Sequence, residues 1–495
     1  MEADSTLGRK FRVFAQQGVL YGAGSIVGRL AGIILIPLYT RLLATSEYGI
    51  LGLIVMTGQI AGVVFALGLR PGMMRSFYDY DRDEPRKVVI STVIFLTAVN
   101  SIVLLVCGLL LSVFLSKAFF GGSQYQLYFT LIIASTVCDM FNLLAFAVFR
   151  ARQEAKKFVL FQTLSLLLRA GIIIYLVAAA GWGIKGVIAG QLIANGIFTV
   201  VLLGLIKKHI VARFSMPEAR KMIRYGTPLV FVGIFGFVLN YLDRFFLNYY
   251  VTLEEVGLYT LAYQFGMLVN ILLIGPLKRL WGPAFLSVKE DDNFSRFCAK
   301  SLTYVIAIAG FVFLGVALLS KEVLILISSE AYWDSYTVIP IIALTYAIWS
   351  ARSLVEVGVV LKRKTSAIAF YTLIGAVLNI DLNLILIPQY GMAGAAWATL
   401  ISFVITLGID YAYNRSLFRI EYEWARLIKI CAVVAVVFSA GYLYEISNLY
   451  LSIAFKLGII VVLYPLGLLL LRFFDEPETA RIKKTLGAVA GHLRR

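Results

Sequence analysis

The sequence predicts an all-α integral membrane protein, and three observations carry that expectation. Of 495 residues, 60% are hydrophobic and only 15% charged, with a mean hydropathy of +0.86, whereas soluble globular domains carry about 25% charged residues. The apolar residues gather in runs of about twenty or more, the length at which a helix satisfies its own backbone within a hydrocarbon core. A barrel would instead show shorter, alternating segments. The basic residues, finally, fall almost entirely in every second connection between those runs.

Taken in order, the runs give about fourteen spans, near 14–36, 47–69, 88–114, 124–149, 158–180, 183–206, 225–250, 256–277, 302–327, 337–361, 365–387, 391–413, 427–447 and 450–471. One set of connections, beginning with Arg9, Lys10 and Arg12 and ending with 472–495, holds 36 of the 45 basic residues. The opposite set holds five: Arg41, Lys117, Lys185, Lys321 and Lys456. The positive-inside rule then places both termini in the cytoplasm. The net charge of +17 is therefore a topology signal. A nucleic-acid partner is not expected, because no basic patch interleaves with aromatics on a soluble domain. The polar start leads into a span long enough to remain in the membrane, so no cleavable signal is expected.

The connections are too short for an extramembrane domain, which locates the function within the bilayer. Both histidines, His209 and His492, fall in basic connecting segments. Cys107, Cys138, Cys298 and Cys431 are scattered without metal-ligand or disulfide spacing. No cofactor or metal is expected, and no enzymatic activity.

An internal repeat at an offset of 208 residues maps the first six spans onto the next six. Gly18 falls on Gly226, Gly28 on Gly236, Gly49 on Gly257, Gly58 on Gly266, Gly183 on Gly391 and Gly186 on Gly394, with Glu47 on Glu255. An even number of spans per half makes the repeat parallel. The expected organisation is a six-helix bundle over 1–206, a cytoplasmic linker over 207–224 and a second bundle over 225–413. Two extra C-terminal helices follow over 414–472, then a basic cytoplasmic tail over 473–495. Two parallel six-helix repeats about one axis are the architecture of an alternating-access carrier.

Two stretches carry a family likeness. Ile36-Pro37-Leu38-Tyr39-Thr40-Arg41-Leu42-Leu43 with Glu47-Tyr48-Gly49, and Asn379, Asn383, Ile387-Pro388 with Tyr390-Gly391-Met392-Ala393-Gly394, resemble the polysaccharide-biosynthesis flippases of the Wzx type. Those belong to the multidrug, oligosaccharidyl-lipid and polysaccharide exporter superfamily. The resemblance implies movement of an undecaprenyl-pyrophosphate-linked oligosaccharide from the cytoplasmic to the periplasmic leaflet of a bacterial inner membrane. Its partners would be that lipid-linked substrate, membrane lipids and other polysaccharide assembly proteins. A lipid II flippase is a close alternative. A multidrug and toxin extrusion antiporter would favour acidic cavity residues, and a membrane glycosyltransferase would need a long catalytic loop.

Such a carrier needs a wet, electropositive cavity, because sugar hydroxyls and phosphates are costly in hydrocarbon without partners. Guanidinium groups suit phosphate oxygens. Arg29 is the first candidate, on a helix face with Gly18, Gly22 and Ser25. Arg169, Arg244 and Arg352 are the other intramembrane arginines, and Asn240, Asn379 and Asn383 are the amides expected beside the substrate. Asp139, Asp243, Glu356 and Asp381 are candidates for coupling to protons or sodium, or for gating. Adjacent Asp243 and Arg244 are expected to point about 100° apart, and Asp410 to be solvated at the inner end. Gly22, Gly24, Gly28 and Pro37 in the first span, with Pro228, Gly233 and Gly236 in the seventh, are expected hinges. Tyr48 and Tyr332-Trp333 are expected in the outer aromatic belt.

Overall fold

The computed structural model describes residues 34–275, 277, 293–362, 364, 366–444, 446–476 and 478. Among these residues there is no strand, and twelve helices are long and apolar enough to cross a membrane. One of the twelve, Ser366–Leu417, holds two of the expected spans joined across a break at Gly391. The first expected span, with Gly22, Gly24, Gly28 and Arg29, lies outside the described residues except for its last positions.

The described helices are α1 (Ile36–Leu42), α2 (Thr45–Phe65), α3 (Leu69–Phe77), α4 (Asp83–Phe120), α5 (Gln126–Ala151), α6 (Ala155–Ile174), α7 (Gly183–Ile206), α8 (Met216–Tyr241), α9 (Asp243–Tyr250), α10 (Leu253–Val269) and α11 (Phe294–Ile327). After a 3₁₀ segment at Glu330–Thr337 come α12 (Ile339–Trp349), α13 (Arg352–Val355), α14 (Val357–Leu361), α15 (Ser366–Leu417), α16 (Trp424–Leu443), α17 (Leu449–Gly458) and α18 (Tyr464–Leu470). Local chemistry sets the ends. The Glu47 carboxylate accepts from the Ala44 N–H at 2.9 Å to open α2, and Ser215 caps α8 ahead of Pro217. Gly391, at φ 55° and ψ −133°, lies where side-chain-bearing residues are strained, and its neighbour Met392 donates its N–H to Glu255 at 2.8 Å.

The helices divide into two compact units. The first takes in the described chain up to Gln264, together with Ile327–Val338 and residues 363–409. Its apolar core packs Met73 and Phe77 of α3 against Val89 and Val93 of α4, Phe149 of α5, Leu202 of α7 and Met222 of α8. In this unit α2 crosses α10 at positions related by the repeat. A side-chain carbon on Gly49 would run into the Leu253 carbonyl and lie 3.0 Å from the Gly257 nitrogen; one on Gly257 would run into the Thr45 carbonyl and lie 3.2 Å from the Gly49 nitrogen. Thr45 and Leu253 are themselves repeat equivalents, as are Gly52 and Thr260, which also touch. The contact is reciprocal, as about a local two-fold axis.

The 3₁₀ segment docks beside this crossing. Tyr332 donates its hydroxyl to the Leu43 or Ala44 carbonyl, at 3.1 and 3.0 Å, and its ring meets Tyr48 edge-on. Both tyrosines are buried, so they pack inside the protein and do not stand in an interfacial belt as expected. In the second unit, Phe294, Cys298 and Val357 form an apolar core with Ile420. Lys456 of α17 pairs with Glu322 of α11, which Ser452 also reaches at 2.7 Å, and this buried pair fixes the C-terminal helices to the unit.

Candidate functional site

Within the first unit the helices enclose a cavity of about 570 Å³, and its polar lining is Gln59, Arg70, Thr97, Thr136, Asp139, Arg169 and Gln191. They come from six helices, with Thr136 and Asp139 on the same one. Gln59 stands on α2. At the end of α2, Leu67 and Gly68 both take left-handed conformations, and the turn they make starts α3 with Arg70 directed to the cavity. Asp139 lies in mid-α5, Arg169 on α6 and Gln191 on α7.

Arg169 is oriented by neutral partners. Its Nη2 donates to Asn195 Oδ1 at 2.8 Å. Asn195, 1% exposed, donates in turn to Ser135 Oγ at 3.1 Å, and its carbonyl accepts from Asn142 Nδ2 at 3.1 Å and Thr199 Oγ1 at 2.8 Å. Thus α5, α6 and α7 share one buried polar network, which aims a cation without cancelling its charge. Arg70 and Asp139 make no hydrogen bond or ion pair among the described residues, and the carboxylate sits within electrostatic reach of Arg169 and Arg70.

The Asp243–Arg244 pair departs from the sequence expectation. α8 stops at Tyr241 and α9 begins at Asp243, and across that break the long arginine stem folds back. Arg244 Nη1 lies 2.8 Å from Asp243 Oδ1 and donates to the Asn240 carbonyl at 2.6 Å. Tyr259 donates its hydroxyl to Asp243 Oδ2 at 2.6 Å. The guanidinium carbon lies 3.8 Å from the Tyr263 ring centroid and 5.0 Å from that of Tyr259. Both charges are 1% exposed and pair with each other inside the protein, with Arg244 Nε left without an acceptor among the described residues, and Arg244 does not line the cavity. Asn240 donates to the Gly236 carbonyl at 2.7 Å.

The remaining expected residues are spread over other helices. In the second unit Arg352 pairs with Glu356 at 2.5 Å and with Asp410 at 3.3 Å, beside the Trp349 ring, where the span is broken into α12, α13 and α14. Asp410 is fully buried and accepts from Asn414, so the expectation that it is solvated is corrected: an ion pair holds it. On α15 Asn383 donates to Asn379 at 3.0 Å in a buried pair, while Asp381 is exposed on another face. Pro37 sits at the start of α1, Pro228 within α8, and Gly233 against Val63.

Sequence reasoning missed Arg70, which it counted with a cytoplasmic connection, and Asn195. An asparagine within an apolar run is itself a signal of an internal polar site, and that signal was present.

The sequence profile of the family described as polysaccharide biosynthesis protein matches residues 38–338, more than half of the chain. The chain belongs to that family. A probable low-salt glycan biosynthesis flippase of Haloferax volcanii, Agl15, is 27% identical over 248 residues, 48% of this chain. The match takes in about half of the relative's length. Among solved structures, a lipid II flippase, MurJ, in an inward closed conformation has a TM-score of 0.75 over 91% of this chain and 98% of that one, at 14% identity. An inward-facing multidrug resistance MATE family transporter of the MOP superfamily has a TM-score of 0.65 over 78% of this chain and 94% of that one, also at 14% identity. At such identity these likenesses establish the fold, which this chain shares with the lipid II flippase and the MATE family transporter.

Proposed function

We propose that this chain is a flippase that carries a polyprenyl-pyrophosphate-linked oligosaccharide, with undecaprenol as the expected carrier, from the cytoplasmic to the outer leaflet by alternating access. The observation that carries the reading is the cavity, in which Arg70 and Arg169 stand among Gln59, Gln191 and Thr136 inside a bundle of membrane-crossing helices. A sugar head group exchanges water for protein hydrogen bonds, each unmet one costing about 2–7 kcal/mol in an apolar medium. Amides and hydroxyls meet that need, and guanidinium groups meet the phosphates. The lipid tail stays in the bilayer and needs no polar path. A lining with more cationic than anionic groups disfavours the cationic cargo of a drug antiporter.

The localisation proposed is the cytoplasmic membrane, with both termini inside. In cells lacking the chain, lipid-linked oligosaccharide should accumulate in the cytoplasmic leaflet and surface glycan should fall, and the gene supplied in trans should restore both. Normal surface glycan without accumulation would refute the assignment.

A further inference from the structure

The cavity holds one carboxylate that the proposed activity does not use. Asp139 is half-buried at the cavity wall, and among the described residues it receives no hydrogen bond. Among the described residues Arg70 likewise makes no hydrogen bond or ion pair, and Arg169 leaves its buried Nε without an acceptor while one Nη is held by Asn195. Three ionisable groups thus face one cavity, and among the described residues none pairs directly with another. Among the described residues, the charged groups facing Asp139 are Arg70 from α3 and Arg169 from α6, while α2, α4 and α7 present neutral Gln59, Thr97 and Gln191, and α8 apolar residues. Cys138 adjoins Asp139 in the chain, and Tyr39 of α1 faces Arg169.

We infer that Asp139 holds the place of the cargo's anionic group: its carboxylate balances Arg70 and Arg169 in the empty cavity and takes up a proton when a diphosphate anion occupies it. Electrostatics sets the proton count. With Asp139 ionised, the described lining carries a net charge of +1 (two arginines against one aspartate), and a doubly charged diphosphate diester would leave it at −1. One proton on Asp139 makes the loaded cavity neutral, which is the state that desolvation favours. The proton comes from solution, binds a carboxylate oxygen and leaves when the anion departs; no bond in the cargo changes. Binding of the anion and of the proton are then mutually reinforcing. This inference rests on the flippase reading, because it takes the cargo to be a diphosphate.

The test is calorimetry on the full-length protein in nanodiscs, titrated with farnesyl-diphospho-N-acetylglucosamine, a diester whose phosphates stay ionised across the neutral range. Repeating the titration in buffers of different ionisation heat counts protons. The wild type should take up close to one proton per ligand, and its affinity should weaken as pH rises. Asp139→Asn should bind without proton uptake and with affinity independent of pH, and Arg70→Gln should bind about tenfold more weakly. A wild type that binds the probe with no proton uptake overturns the inference and leaves the flippase reading standing. No binding of the probe by the well-folded wild type overturns the reading itself. Proton uptake retained in Asp139→Asn assigns the proton elsewhere and also overturns the inference, and the wild-type proton count stands as a test even where that variant fails to fold.

Discussion

Asn195 directs Arg169 with a neutral oxygen, and that choice matters because a carboxylate in its place would pair with the guanidinium and hold it back from any cargo. Replacing Asn195 by leucine removes one acceptor and strands Ser135 within the bundle, a loss of about 1–3 kcal/mol for each buried group left unmet. Asn195→Leu is expected to lower flipping about tenfold with a modest drop in melting temperature. Asn195→Asp is expected to melt no lower than wild type yet to flip even less, and thermal melting beside a flipping assay checks both. Glu478 offers a pH-dependent counterpart outside the spans. Burial works against its charge, but hydrogen bonds from Tyr304 and the Asp475 N–H, with Arg426 and Lys300 close by, hold its carboxyl down at about 2. A carboxyl lowered on folding stabilises the protein fully above its unfolded value and loses that contribution as pH falls toward the folded one. The destabilisation caused by Glu478→Gln should therefore be constant near neutrality and shrink between about pH 5 and pH 2, which melting curves across that range would show.

At the scale of elements, the crossing of α2 and α10 has no side chain between the two backbones at Gly49 and Gly257. A methyl group at either position must push a carbonyl aside, and such overpacking costs about 1–3 kcal/mol. Gly49→Ala and Gly257→Ala should each lower the melting temperature, and Gly236→Ala, where a side-chain carbon meets open space, should not. Much of this level was legible in the sequence. The apolar runs located the long described helices, though α8 begins nine residues and α11 eight residues before the expected spans and α3 lies in an expected connection, and Pro388 with Gly391 marked the break inside α15. The repeat marked Gly49 and Gly257 as equivalents. That equivalents would touch each other did not follow, because periodicity along one chain says nothing about which faces meet. The interruption at Leu242 was not legible either, since no proline or glycine makes it; the Arg244 side chain bonded to the Asn240 carbonyl and Tyr259 bonded to Asp243 accompany it. Tyr48 and Tyr332 were misplaced for a similar reason. Position near a span's outer end suggested an interfacial ring, and only packing reveals a buried pair.

For the whole molecule, the charge alternation predicts an orientation that can be measured apart from transport. In a background whose native cysteines are replaced, single cysteines at Gly122 and Ser447 should react with an impermeant reagent from outside the cell, and one at Asp81 should not. The reverse pattern would invert the direction of movement. The candidate site was only partly legible at this scale. Arg169 and Asp139 both line the cavity, yet the charge that shares it with them, Arg70, was counted with a connection because it follows the last apolar residues of its span. The central claim is that lipid-linked oligosaccharide crosses by way of this arginine-lined cavity. The most direct measurement is the rate at which a defined undecaprenyl-pyrophosphate oligosaccharide changes leaflet in proteoliposomes holding equal amounts of wild type, Arg70→Ala, Arg169→Ala or the double variant. Loss of one charge-assisted contact is worth about 1.5–3 kcal/mol, so each single variant should flip about ten- to a hundredfold more slowly and the double variant at the protein-free rate. A folded double variant that flips the substrate at the wild-type rate would contradict the account.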